Sequence, residues 1–208
     1  MPIFEPRPLF PPEPGDLLFQ DLECLDACPA IEAVKLGFHD SRISHVGMFL
    51  AVGGVPYVIE AYPPEVRLTP LAVFLRRSRD RLSRPRICVG RLRDPFRRLI
   101  PGALAQALAL RGLPYDRVYL TGEDAYYCSE LVVDAFKRAN DGEEFFPEEP
   151  MSFRDPRTGE ILEYWIRYYA FFGRPVPEGE PGSHPATISL SARLSIVARL
   201  GFLTGWDT

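Results

Sequence analysis

The side chains best suited to covalent chemistry are few: His39, His45 and His184, and Cys24, Cys28, Cys88 and Cys128. A cysteine nucleophile needs its thiolate, which is favoured at a helix N-terminus, where unpaired N–H groups and the positive end of the dipole converge. Cys128 fits that place. It follows the loop Gly122-Glu123-Asp124-Ala125-Tyr126-Tyr127, and after it Leu131, Val132, Ala135 and Phe136 repeat at helical spacing. A base is then needed. His45 stands before the β-rich run Val46-Gly47-Met48-Phe49-Leu50. Glu60 lies within the apolar run Tyr57-Val58-Ile59-Glu60-Ala61. Carboxylates are rarely buried without a partner, and one beside an imidazole fixes its tautomer and stabilises the imidazolium.

The elements between these residues predict how they meet. Val46–Val52 and Val55–Ala61 flank Gly53-Gly54, a hairpin signal, because tight hairpin turns demand positive φ. A two-residue loop pairs residues whose numbers sum to 107. Gly47 then faces Glu60, His45 faces Tyr62, and His45, Gly47, Glu60 and Tyr62 share one sheet face. Diagonal neighbours sit roughly 7–8 Å apart, within reach of long side chains. Glu60 is thus expected to orient His45, with Tyr62 as the next candidate.

Elsewhere, Gly15–Gln20 predicts a turn and a buried strand, and residues 29–37 a short helix. Thr69-Pro70 reads as an N-cap and first helical position for a helix to Arg77. Arg86–Arg93 reads as a strand with one wet face, Pro101–Leu110 as a helix stopped by Gly112, and Glu160–Phe172 as a helix. Pro175–Pro185 reads as a linker and Ala192–Leu200 as an amphipathic helix. Helices and antiparallel strands segregate, so the class is α+β. The expected organisation is a Pro-rich arm over 1–14, a catalytic domain over 15–172, and a linker with a docked helix over 173–208.

The order Gly-Asp-Leu-Leu-Phe, Ser-His-Val-Gly-Met, Val-Ile-Glu-Ala and Tyr-Cys-Ser-Glu-Leu-Val resembles the permuted papain-like amidases of the YaeF/YiiX type, a circularly permuted branch of the NlpC/p60 superfamily. There His precedes the polar third residue and Cys comes last, as in His45, Glu60 and Cys128. The resemblance implies a papain-like fold, cleavage of an amide or ester through an acyl-enzyme, and no metal or other cofactor. Gly112-Leu113-Pro114-Tyr115-Asp116 resembles the segment upstream of the nucleophile, which makes Tyr115 a candidate for substrate or oxyanion contact. Gln20 is a further candidate for the second oxyanion donor, beside the Cys128 backbone N–H.

Composition bounds the alternatives. The 208 residues carry a net charge of −4, which argues against a nucleic-acid partner. Residues 76–98 hold ten arginines against Asp80 and Asp94, a net +8 that reads as a solvated basic face or as a patch for an anionic substrate or membrane surface. No run approaches the ~20 apolar residues of a membrane span. Met1–Pro6 lacks the features of a secretory signal, and the sparse cysteines predict free thiols in a reducing, cytoplasmic setting. Cys24-x3-Cys28-x10-His39-x5-His45 superficially matches a zinc spacing, but its spacer is short and His45 opens a strand. The competing classes are a lipid acyltransferase or thioesterase of the same fold and a binding protein that has lost catalysis. A hydrophobic tunnel favours lipid, and an acidic or Asn-rich slot favours a peptide amine.

Overall fold

The computed structural model describes residues 10–22, 27–79, 82–122 and 124–201. Six strands form one antiparallel sheet in the order β4-β3-β2-β1-β5-β8. They are β1 (Leu17–Gln20), β2 (His45–Val52), β3 (Val55–Tyr62), β4 (Glu65–Pro70), β5 (Ile87–Leu92) and β8 (Leu194–Leu200). A small ribbon pairs β6 (Glu149–Pro150) with β7 (Pro181–Gly182). The helices are α1 (Ala27–Val34), α2 (Leu71–Arg77), α3 (Ile100–Ala109), α4 (Cys128–Ala139), α5 (Glu163–Phe171) and α6 (Pro185–Ser189). Among the described residues no helix is long and apolar enough to cross a membrane.

Alternation along the strands divides the core. Leu17, Phe19, Val46, Met48 and Ile59 belong to the larger apolar cluster, with Ala103 of α3 and Leu131, Val132 and Phe136 of α4. Leu18, Phe49 and Val58 point the other way and pack with Leu71 and Phe74 of α2. A third cluster gathers Ala30 of α1, Val118, Phe153, and Trp165 and Tyr169 of α5.

The hairpin has the register that its turn dictates: Met48 opposite Ile59, Phe49 opposite Val58, and Val52 opposite Val55. Gly53 and Gly54 adopt φ of +58° and +80°, so the turn is open to them and strained for other residues. Pro56 faces Ala51 and lies beyond the end of β4, whose last pairing is Tyr57 with Pro70. Its missing N–H therefore interrupts no ladder bond on that side.

Three expectations are corrected. Thr69 does not cap a helix. It lies in β4, and α2 starts at Leu71 with Pro70 at the cap position. Residues 194–200 form strand β8 on β5 rather than a docked helix. Leu194, Ile196, Ala198 and Leu200 recur with period two, and a neighbouring strand edge rewards that alternation with a ladder. Finally, β5 has no wet face, because five of its six residues are buried. Its Arg91 folds back as a fork onto Asp16, with Nε–Oδ1 and Nη2–Oδ2 both 2.8 Å. Arg77, Arg86 and Arg97 also pair with acidic residues, so part of the basic segment is internally neutralised.

Cys28 is disulfide-bonded, whereas Cys88 and Cys128 are free. This corrects the expectation of free thiols throughout and removes the ground on which the sequence pointed to a reducing compartment. Cys24 lies outside the described residues.

Candidate active site

Cys128 is the first residue of α4. The preceding segment is anchored along the sheet end. Tyr115 N donates to Pro64 O, Tyr126 N to Pro114 O, and Asp116 N to Tyr126 O. Glu130, in the first turn, reaches back to accept from Tyr127 N. Ser183 ties the same turn from outside: its N–H donates to the Tyr127 hydroxyl at 2.8 Å, and its carbonyl accepts from Ser129 Oγ at 3.1 Å. The thiol is thereby held at a helix start whose own backbone is fixed on both sides.

His45 opens β2, so its ring stands at the end of a strand, where a helix terminus can approach it. His45 Nε2 lies 2.6 Å from Glu60 Oε2. The Cys128 side chain is near enough to the ring to raise its pKa. With Nε2 engaged by the carboxylate, Nδ1 is the ring nitrogen left for the sulfur. The sequence expectation for this pair rested on Gly47 standing opposite Glu60. A Cβ on Gly47 would lie 2.5 Å from Val58 Cγ1 and 3.2 Å from Glu60 Cβ, so the space is already filled. Gly47→Ala is therefore expected to destabilise the protein by about 1–3 kcal/mol through overpacking. A urea midpoint equal to that of the unaltered protein would contradict this.

Two residues of the site were missed from the sequence. Thr69 Oγ1 donates to Glu60 Oε1, and Arg77 Nη2 lies 2.6 Å from both carboxylate oxygens. Burial opposes ionisation of Glu60, but His45 and Arg77 outweigh it and hold the carboxyl down at about 2. Burial likewise opposes charge on His45, yet interaction with Cys128 and Glu60 raises its pKa above the ordinary value. A signal for Thr69 existed: it pairs with Val58 in β4, on the same strand face as Arg67 opposite Glu60. Recognising Glu65–Pro70 as a strand would have exposed it.

Tyr115 joins Cys128 on the wall of a cavity of about 320 Å³. Burial, then the charge of Cys128, pushes its phenol well above the ordinary value, so it remains a protonated donor. Gln20 stands opposite His45 in the β1–β2 register. It is fully buried, its side-chain N–H donates to Phe74 O at 2.8 Å, and it does not line the cavity. Most of the cavity wall is apolar or aromatic, including Ile31 and Val34 of α1, Tyr119, Met151, Phe153 and Trp165 of α5. The Lys35–Glu149 ion pair also lines it. His184 is structural: it accepts from Ala186 N, and its other nitrogen bonds Ile31 O. Burial lowers its pKa to about 4 and keeps it neutral.

An antiparallel sheet carrying His and Glu, with a cysteine at a helix start after them in the chain, is the arrangement that a permuted papain-like fold presents. The family model for permuted papain-like amidase enzymes, YaeF/YiiX, C92 family, matches residues 12–197, and the chain belongs to that family. At this level it is a hydrolase. The uncharacterized protein YiiX of Escherichia coli strain K12 is 26% identical over 196 residues, 94% of this chain and 90% of the relative. A crystal structure described as metalloprotein yiiX from Escherichia coli O157:H7 has the same fold. Its TM-score is 0.74 at 24% identity, over 90% of this chain and 97% of that one.

The described residues do not fit a metal centre. Among the described residues no three His, Cys, Asp or Glu side chains are grouped to hold a metal ion. Within the zinc-like spacing, Cys28 is in a disulfide and the His45 ring is engaged by Glu60 and Cys128.

Proposed function

We propose that the protein is a cysteine hydrolase that cleaves an amide, or an ester, through an acyl-enzyme on Cys128. The observation that carries this reading is the 2.6 Å contact of His45 Nε2 with Glu60 Oε2, with Cys128 at the start of α4 close enough to raise the His45 pKa. The Cys128 thiolate attacks the carbonyl carbon, and the C=O electrons move onto oxygen. The Cys128 backbone N–H, at the first position of α4, and the Tyr115 hydroxyl are the donors proposed for that oxyanion. The tetrahedral intermediate collapses as protonated His45 gives its proton to the leaving amine or alkoxide, leaving a thioester. Water then attacks the thioester carbon while His45 takes its proton, and the acid leaves with the thiolate restored. Glu60 accepts the Nε2–H throughout and keeps Nδ1 directed at sulfur.

The apolar wall favours an acyl group that is itself apolar, because no acidic slot dominates the cavity. Its volume lies at the lower end of the roughly 300–1,000 Å³ usual for small-molecule sites. Transfer of such an acyl group to an acceptor other than water, the lipid acyltransferase chemistry, is the second reading that this wall supports. The test compares p-nitrophenyl acetate with a medium-chain p-nitrophenyl ester in Ile31→Trp. Filling the wall is expected to lower kcat/KM for the longer ester about tenfold or more and to spare the acetate. Equal loss on both esters would remove the cavity from the acyl-binding role. Mass spectrometry of products formed with added amine or alcohol separates hydrolysis from transfer.

A further inference from the structure

We infer that Arg77 is a positioning residue of the triad: it clamps Glu60 so that His45 stays directed at Cys128, and it balances the charges that the reaction gathers there. The inference rests on the catalytic reading above. Glu60 is met from every side. His45 reaches it from β2 and Thr69 from β4, while Arg77 reaches it from α2. Arg67 of β4 stands opposite Glu60 in register, and its guanidinium lies 4.9 Å from the centre of the Tyr62 ring. Tyr62, on β3, meets the His45 ring edge-on at 5.6 Å. Cys128, from α4, acts on Glu60 through His45. Among the described residues these are the charged and titratable groups around the carboxylate.

The way Arg77 is held separates positioning from simple stability. Its guanidinium carbon lies 4.0 Å from the Tyr62 ring centre and 5.1 Å from that of Phe74, so the group is fixed by stacking as well as by charge. Its side chain is only 16% exposed. Among the described residues its Nε and Nη1 are buried without a hydrogen-bond partner, and its side-chain hydrogen bonds go to Glu60 through Nη2. An arginine serving stability alone gains by keeping its donors satisfied or in water. Here two donors are sacrificed to hold one carboxylate. During catalysis the imidazolium and thiolate form one balanced pair, and Arg77 with Glu60 forms a second. Without Arg77, the Glu60 carboxylate is free to rotate and to draw the proton of His45 toward itself.

The test follows alkylation of Cys128 by iodoacetamide against pH in the full chain, with the modified residue identified by mass spectrometry. Arg77→Met keeps the stem against Tyr62 and Phe74 and removes the charge. It is expected to slow labelling at pH 6 about tenfold and to move the acid limb up by about one pH unit. Arg77→Lys restores the charge and is expected to return the limb to the position in the unaltered protein, which also serves if the Met variant folds poorly. In a Glu60→Gln background, Arg77→Met should add nothing, since its effect passes through Glu60. An unmoved limb in Arg77→Met, even with a lower melting temperature, overturns the inference, as does a full-sized additional effect in Glu60→Gln. Labelling of a cysteine other than Cys128 in the unaltered protein would instead sink the catalytic reading, and the role of Arg77 with it.

Discussion

Cys128→Ala is expected to abolish hydrolysis while the protein stays folded. Removing the nucleophile of a triad costs on the order of a millionfold in kcat, because its partners have no other group to activate. The structural cost is small: one sulfur is lost from a site at the edge of a cavity, so stability should change by no more than about 1 kcal/mol. The same residue should be the first to react with iodoacetamide at about pH 6, because His45 carries a raised pKa beside its sulfur. Cys88 is the internal control. It is completely buried in β5, and burial pushes its thiol up to about 12. Cys28 is withheld by its disulfide. Turnover of a p-nitrophenyl ester and peptide mapping of the alkylated protein check both halves. Surviving turnover in Cys128→Ala, or Cys88 labelled first, would remove the nucleophile from the scheme.

The second large effect is on stability. Glu60→Ala leaves Arg77 and His45 buried without their counter-charge, and breaking a buried pair in this way costs about 3–5 kcal/mol. The pH dependence gives the change a signature. Folded Glu60 titrates at about 2, whereas an unfolded glutamate titrates near 4.3. Its contribution is therefore complete above the unfolded value and is lost as pH falls through the folded one. His45 has the opposite sign. Its folded pKa is raised, so its contribution is complete below the unfolded value of about 6.5 and fades as pH rises through the folded one. Burial raises Glu130 to about 8, so its ionisation should erode stability further between about pH 4.3 and 8. Urea denaturation from pH 3 to 9 should show the Glu60→Ala loss largest near neutrality and smaller toward pH 3. A loss independent of pH would mean that packing, rather than charge, makes Glu60 important.

The sequence by itself determined the parts of this protein that depend on local rules. Gly53-Gly54 sets a two-residue turn, the turn sets the register, and the register places His45 beside Glu60. The apolar stripe after Tyr127 sets a helix that starts at Cys128. Both can be read because each pattern is satisfied by its own neighbours in the chain. Tertiary structure decided the rest. Leu194–Leu200 is short enough to suit helix or strand, and the open edge of β5 selects strand. Thr69 looks like a helix cap until β4 pairs with β3 and turns its hydroxyl toward Glu60. Arg77 resembles any arginine of a basic run until α2 brings it over Tyr62 onto the same carboxylate. The cavity draws its wall from α1, α5 and the loops between α4 and α6, segments far apart in sequence whose apolar residues have no shared period. Convergence of that kind follows from which layers pack together, and no local pattern encodes it.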